Sequence, residues 1–142
     1  MSDDLELEDI PDRIYLHIIA DSTGRTASSV VCGAVMQFPE GDVTVRGLTH
    51  VKSVDEVRAY IDRYIDEPRN TTVFHTILDT GLRRQVIELL NSRGIASVDL
   101  LGPATSIVSR LLEEDPTPVT GMTLETAKQG VHLLDATYLD VL

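Results

Sequence analysis

The sequence predicts an α/β fold, in which helices flank an open, doubly wound, mostly parallel four-stranded sheet and a further helix ends the chain. Short β-branched runs alternate with segments whose apolar residues recur at helical spacing, and this alternation occurs four times. The length of 142 residues, with 42% hydrophobic side chains, suffices for one core. Strands separated by helices pair in parallel through right-handed crossovers, which places helices on both sheet faces. A strand order of 2-1-3-4 is our hypothesis.

The chain divides into four predicted segments. Residues 1–12 are acidic, so we expect a disordered tail there. An α/β domain follows over 13–115, and a linker that contains two prolines covers 116–122. Residues 123–142 are predicted to form the C-terminal helix.

The first strand and helix follow the acidic tail. The run "RIYLHIIA" (13–20) is rich in β-branched and aromatic residues and predicts a buried strand. Ser22 or Thr23 is predicted to cap a helix that runs to about Phe38 and holds the lone Cys32 in or near the core. Helical spacing places the inner face of this helix at Ala27, Val30, Val31, Ala34 and Val35.

The second strand and helix come from residues 42–65. "DVTVRGLT" (42–49) alternates as a strand does, and Ser53 with Glu56 forms a capping box for the next helix. The apolar stripe of that helix is predicted to be Val57, Tyr60, Ile61, Tyr64 and Ile65. The two tyrosines either pack within the fold or dock a second copy, as in a homodimer.

The third strand is predicted from "TTVFHTIL" (71–78). Asp79 or Thr80 is expected to cap the helix that follows, and Gly94 is expected to end it in a left-handed conformation. The inward residues of this helix are predicted to be Leu82, Val86, Leu89 and Leu90.

The fourth strand is predicted from "IASVDLL" (95–101). Gly102 turns the chain, and Pro103 suits the first position of a helix that continues to about Glu114.

Charge and hydropathy exclude several function classes. A formal net charge of −11 argues against a nucleic-acid partner, because such proteins are normally basic. No apolar run is long enough to span a membrane, and the acidic N-terminus lacks the pattern of a signal peptide. The predicted location is therefore the cytoplasm. No Cys/His cluster has metal-ligand spacing, so no metal is predicted.

Polar residues follow three of the predicted strands, at the rim where doubly wound sheets bind ligands. A helix N-terminus offers unpaired N–H groups and a positive dipole end, and a glycine there lets an anion approach the backbone. The candidate phosphate- or anion-binding residues are Asp21, Ser22, Thr23, Gly24, Arg25, His75, Asp79, Arg83 and Asp99.

The arginines of this set have two interpretations. Arg25 and Arg83, together with Arg84, lie near helix starts, where a cation opposes the helix dipole by roughly 0.3–1 kcal/mol unless an anion is bound. Alternatively, Arg25 and Arg83 each pair with the aspartate four residues earlier, Asp21 or Asp79. His75 is either a general base or phosphate contact, or a hydrogen-bonded structural histidine.

Three common catalytic or nucleotide-binding motifs are missing from the chain. There is no GxSxG nucleophile elbow and no GxGxxG after the first strand. A Walker A loop requires a lysine after glycine, and neither Lys52 nor Lys128 follows one.

Four motifs together resemble one known family: "ADSTGRTA" (20–27), "QFP" (37–39), "FHTILDTGLR" (74–83) and "VDLLGP" (98–103). They are similar to the N-terminal part of the pyruvate, phosphate dikinase and phosphoenolpyruvate synthase regulatory proteins. The family's His-x-Leu-Asp-x-x-Tyr spacing also occurs, at His132, Leu134, Asp135 and Tyr138. The resemblance implies a bifunctional enzyme, an ADP-dependent Ser/Thr kinase and phosphate-dependent phosphorylase that modifies a threonine near the target's catalytic histidine.

The resemblance also implies cofactors and partners. ADP and phosphate would be the cofactors, and the dikinase or the synthase would be the protein target. Family members continue into a domain with a nucleotide-binding P-loop, whereas this chain has none, so we expect a separate P-loop domain to complete the enzyme and the chain alone to be inactive. The resemblance gives the nine rim residues a binding role and supplies no catalytic residue. The alternative is a standalone, non-catalytic module that senses anions or binds proteins.

Overall fold

The structure is a computed structural model that describes residues 13–117. Within that range lie four strands, β1 (Ile14–Ala20), β2 (Val43–Leu48), β3 (Thr71–Thr76) and β4 (Ala96–Asp99). The α-helices of that range are α1 (Arg25–Val35), α2 (Val54–Tyr64), α3 (Thr80–Ser92) and α4 (Gly102–Leu112), and a 3-10 turn (Pro68–Asn70) precedes β3. None of these helices is long and apolar enough to cross a membrane. The predicted tail over 1–12, part of the linker and the helix over 123–142 lie outside the described residues.

The four strands form one parallel sheet in the order β2-β1-β3-β4, which confirms the α/β class and the hypothesised order. The register aligns the ends of the four strands to within one residue. Ile19 of β1 lies beside Leu48 of β2 on one side and His75 of β3 on the other, and His75 lies beside Asp99 of β4. The carboxyl ends of the strands therefore share one rim, and the loops that follow them are neighbours.

Helices cover both faces of the sheet. On one face, buried residues of α2 and α3 pack with Ile19 and Val73 of the sheet. On the other face, Ala27 and Val31 of α1 pack with Ile18, and this cluster is much smaller. The α3 residues in the first cluster are Leu82, Val86, Leu89 and Leu90, all buried as predicted.

Helix α1 differs from the prediction at both ends. Gly24, rather than Ser22 or Thr23, is the N-cap, with a left-handed φ of 78° and no side-chain cap hydrogen bond. The helix ends at Val35 instead of Phe38. A Cβ on Gly24 would lie 3.0 Å from the Thr49 methyl carbon, so glycine suits this position on grounds of space as well as φ.

The inner face of α1 is also narrower than predicted. Ala27 and Val31 are buried, whereas Val30 and Ala34 are exposed. Cys32, predicted in or near the core, is exposed as well. A helix that packs through one i, i+4 pair buries only a thin stripe, and the smaller cluster on this face reflects that geometry.

Helices α2 and α3 begin largely as predicted. The Ser53–Glu56 capping box is present at α2, and Asp79, not Thr80, caps α3. Tyr64, predicted within the apolar stripe of α2, is 38% exposed, and the Arg46 guanidinium lies 4.2 Å from its ring centroid. Gly94 follows α3 with a left-handed φ of 68°, as expected.

Candidate functional site

The loops after β1 and β3 are joined by one carboxylate. Asp21 Oδ2 accepts hydrogen bonds from the backbone N–H of Leu78 at 2.9 Å and of Asp79 at 3.3 Å. These partners are 57 and 58 residues away in the chain. Asp21 therefore holds two strand-end loops together and is half-buried in doing so.

The remaining strand-end loops meet the same rim. The backbone N–H of Leu100, after β4, donates to the His75 carbonyl oxygen at 3.0 Å, and the N–H of His50, after β2, donates to the Ser22 carbonyl oxygen at 2.9 Å. Arg83 Nε lies 3.8 Å from Asp99 Oδ2, which links α3 to the end of β4. The structure thus brings the three predicted polar segments to one edge of the sheet.

Carboxylates already occupy the N-termini of α3 and α4. Asp79 Oδ1 accepts from the N–H of Leu82 at 3.0 Å. Asp99 Oδ1 accepts from the N–H groups of Leu101 at 3.0 Å and Gly102 at 2.7 Å. These aspartates accept from some of the free N–H groups and place negative charge at the positive dipole ends, so a further anion is disfavoured at both helix starts.

The start of α1 has the opposite character. Its N-cap, Gly24, has no side chain to cap the helix, and the hydroxyls of Ser22 and Thr23 lie immediately before it. Among the described residues, the one side-chain bond to its first N–H groups is long, 3.3 Å from the Arg25 N–H to Thr23 Oγ1. Arg25 is exposed, and no acidic side chain within residues 13–117 forms an ion pair with it. Four described helices begin at this rim; α2 has the Ser53–Glu56 capping box and α3 and α4 have aspartates, so among them only α1 has the properties of an anion site.

The two predicted local ion pairs are not formed in the described part of the chain. Asp21 does not pair with Arg25, because its carboxylate bonds to the β3 loop. Asp79 does not pair with Arg83, because its carboxylate caps α3, and Arg83 faces Asp99 instead. Seven of the nine predicted residues consequently fall into two groups, three aspartates that brace the rim and the segment Ser22–Arg25, which stays open; Arg83 pairs with Asp99, and His75 is buried.

His75 lies beneath the rim and is fully buried, with 0% of its surface exposed. Neither ring nitrogen has a hydrogen-bond partner among the described residues, so the hydrogen-bonded alternative is not what the structure shows. Burial lowers the pKa of His75; Asp99 raises that pKa and Arg83 lowers it. The ring is therefore neutral at neutral pH, and its enclosure keeps it from direct contact with solvent-borne anions.

Tyr60 resolves one of the alternatives left open by the sequence. It is buried, and its hydroxyl lies 2.7 Å from His17 Nδ1 inside the sheet–helix interface. Burial raises the pKa of Tyr60 and lowers the pKa of His17, so both groups are neutral. Tyr60 packs within the fold, and only the partly exposed Tyr64 remains available to a second subunit.

A second feature near the rim was not predicted from the sequence. A cavity of about 330 Å³ lies between α3 and α4, and of the nine predicted residues only Arg83 lines it. The sequence signal was the segment "PATSIVSR" (103–110), in which hydroxyl side chains and an arginine recur within one helix. The lining residues are Thr80, Arg83, Thr105, Ser106, Ser109, Arg110 and Pro116.

Comparison with known proteins gives a consistent result over most of the chain. The family model described as kinase/pyrophosphorylase matches residues 16–139. A protein of Clostridium tetani named as a pyruvate, phosphate dikinase regulatory protein is 32% identical over 104 residues, which cover 73% of this chain and 38% of that protein. Proteins with the same name from Chloroflexus aurantiacus and Bdellovibrio bacteriovorus are 25% identical over 121 residues and 31% identical over 91 residues.

The matched relatives are considerably longer than this chain. The matches cover 85% of the chain and 43% of the Chloroflexus aurantiacus protein, and 64% of the chain and 32% of the Bdellovibrio bacteriovorus protein. The chain therefore spans about two fifths of the length of the curated relatives it matches.

Proposed function

Because the chain belongs to the kinase/pyrophosphorylase family, we propose that it forms the N-terminal part of a regulatory enzyme that acts on pyruvate, phosphate dikinase or phosphoenolpyruvate synthase. The proposed activities are an ADP-dependent Ser/Thr kinase and a phosphate-dependent phosphorylase. The family match over residues 16–139 is the observation that carries this proposal. The names of the relatives support the dikinase as the target.

The open start of α1 is the proposed contribution of this chain to phosphoryl transfer. Its unpaired N–H groups, the hydroxyls of Ser22 and Thr23 and the guanidinium of Arg25 suit phosphate oxygens. Phosphoryl transfer depends mainly on positioning and on stabilising charge, and a preformed cradle supplies both. Asp21, Asp79 and Asp99 keep the surrounding loops in place and bind no phosphate themselves.

The nucleotide is proposed to bind to a P-loop outside these 142 residues. No lysine of the chain follows a glycine, so the sequence contains no Walker A loop. The segment Ser22–Arg25 would then face phosphate or the phosphorylated threonine, while the P-loop would hold ADP.

A reconstitution experiment tests this function. The purified chain is mixed with the P-loop half of a full-length family member, ADP and purified dikinase or synthase, and threonine phosphorylation is followed by mass spectrometry. We expect phosphorylation with the mixture and none with either half alone. Arg25→Ala is expected to lower the rate about tenfold, because a charge-assisted contact to phosphate is lost. Arg84→Ala, a second exposed arginine at a helix start, serves as the control.

Two results would contradict the proposal. One is the absence of both phosphorylation and binding to either target, with the full-length family member active in the same assay. If phosphate nevertheless perturbed Ser22–Arg25, the chain would be an anion-sensing module. The second contradicting result is full activity of the Arg25→Ala variant, which would show that the start of α1 takes no part in the reaction.

A further inference from the structure

The cavity between α3 and α4 has an unusual chemical lining. Within residues 13–117, its polar lining consists of hydroxyls and guanidinium groups without a carboxylate. The chain as a whole has 23 acidic residues and 12 lysines and arginines, so a lining with two arginines and no acid departs from the overall composition. The cavity is separate from the segment Ser22–Arg25, which contributes nothing to its walls.

Arg83 forms one wall and is mostly buried, with 19% of its side chain exposed. Its Nε lies 3.8 Å from Asp99 Oδ2, which is too far for a hydrogen bond. No acceptor among residues 13–117 receives any of its side-chain N–H groups. Asp99 offsets the charge of Arg83 as an ion pair, but the guanidinium donors form no hydrogen bond among residues 13–117, so they have unused capacity for an acceptor in the cavity.

The hydroxyls of the lining have the same unused capacity. Those of Thr80, Thr105 and Ser106 form no hydrogen bond within the described part of the chain, whereas Ser109 donates to the Glu114 carbonyl oxygen. Arg110 is exposed and has no ion pair with any described acidic residue. Two guanidinium groups and three free hydroxyls offer more donors than the two oxygens of a carboxylate can accept. They suit the three terminal oxygens of a phosphoryl group.

We propose that this cavity binds the phosphoryl group of a small phosphorylated molecule or phosphate itself. Its volume of about 330 Å³ equals roughly ten water molecules at about 30 Å³ each. There is consequently room for a phosphoryl group and a small organic substituent. The site goes beyond the proposed function, because it requires neither a P-loop nor the protein target.

Amide chemical shifts of the 142-residue chain provide the test. Inorganic phosphate is added at constant ionic strength, with sodium chloride as the reference titration. We expect saturable shifts at Thr105 and Ser106 at millimolar phosphate. Arg110→Ala should weaken binding about tenfold, because a charge-assisted contact is lost. Arg84→Ala, which removes an equal charge from an exposed position of α3 outside the cavity, should leave the affinity within about twofold.

A second titration with glycerol 3-phosphate distinguishes the two sources of the phosphoryl group. Tighter binding than inorganic phosphate assigns the cavity to phosphate esters, and weaker or equal binding assigns it to phosphate. If Arg110→Ala fails to fold, Ser106→Ala in the same wall replaces it, with a smaller expected loss of affinity.

Three outcomes would overturn the cavity proposal. The first is no saturable shift at Thr105 or Ser106, and the second is equal weakening by Arg84→Ala, which would indicate general charge attraction. The third is shifts confined to Ser22–Arg25, which would leave the proposed function standing. Shifts at the cavity with silence at Ser22–Arg25 would support the cavity and contradict the phosphate role of α1, so the two proposals fail separately.

Discussion

The starts of α1 and α3 have similar sequences and different structures. "DSTGR" leads into α1 and "DTGLR" leads into α3, so both contain aspartate, threonine, glycine and arginine in the same order. The first helical residue of α1 is Arg25, four positions after Asp21, whereas that of α3 is Thr80, directly after Asp79. The distance from the aspartate to the helix is therefore the main difference between them.

That distance decides which helix start is open. Asp79 is adjacent to its helix and caps it. Asp21 is too far from α1 to cap it and instead bonds across the rim to the β3 loop, while Gly24 begins the helix without a side-chain cap. One aspartate thus closes a helix N-terminus, and the other braces two loops and leaves a helix N-terminus free for an anion.

Of the substitutions at these two helix starts, removal of Asp21 is expected to lower the stability of the fold the most. Asp21→Ala leaves the N–H groups of Leu78 and Asp79 without their charged acceptor, so the free energy of unfolding should fall by about 2–3 kcal/mol. Urea unfolding measures the change. Asp66→Ala, an exposed aspartate after α2, should change stability by less than about 0.5 kcal/mol. A loss at Asp21 no larger than at Asp66 would show that the brace contributes nothing.

Acidification is expected to destabilise the fold through two buried histidines, His75 at the rim and His17 in the interface between the sheet and α2. Burial lowers the pKa of His75 and of His17 below the ordinary 6.5, so the unfolded chain binds more protons than the folded chain just below that pH. The contribution of the two histidines to the free energy of unfolding is fully present above pH 6.5. It falls as the pH decreases from there, by at most about 1.4 kcal/mol per pH unit for each histidine.

Urea unfolding at several pH values above the carboxylate range, near about 4, measures this slope. His75→Leu should reduce the slope and leave the contribution of His17. A profile independent of pH, or a slope untouched by His75→Leu, would mean that these buried rings are not what titrates.

Much of the fold was predictable because it follows from local patterns. The apolar runs gave the four strands, and the capping box at Ser53 and the aspartate at 79 gave two helix starts within one residue. These features depend on residues within one turn of each other. The widths of the apolar faces were less predictable, because exposure of Val30 and Tyr64 depends on which neighbouring element reaches them.

The position of the site could be predicted from the sequence, but the contacts within it could not. Parallel strands place their carboxyl ends at one rim, which is why nine residues could be chosen from sequence. The role of Asp21 depends on partners more than fifty residues away, and the lack of room for a Cβ at Gly24 depends on Thr49, which follows a different strand. The cavity was missed because α3 and α4 line it together.

Removing the side-chain cap of α3 tests whether Asp79 stabilises the start of that helix. Asp79→Ala removes the acceptor of the Leu82 N–H and the charge at the helix start, so stability should fall by about 1 kcal/mol. Asp79→Ser keeps a capping oxygen and should recover most of that loss. Thermal unfolding of both variants measures the difference, and an alanine variant as stable as the serine variant would show that the cap is not needed.

Replacing Arg25 is expected to give the smallest change in stability. It tests most directly whether the uncapped start of α1 binds an anion. A cation at an uncapped helix start opposes the dipole, so Arg25→Ala should raise stability by about 0.3–1 kcal/mol in phosphate-free buffer. Phosphate should stabilise the wild-type chain more than the variant, because the variant lacks the Arg25 guanidinium and can bind phosphate only at the cavity between α3 and α4. Arg84→Ala, at an exposed position of a helix start that is already capped, should keep the response to phosphate. A loss of stability in Arg25→Ala without phosphate would instead reveal an acidic partner for Arg25 and would make the two helix starts alike.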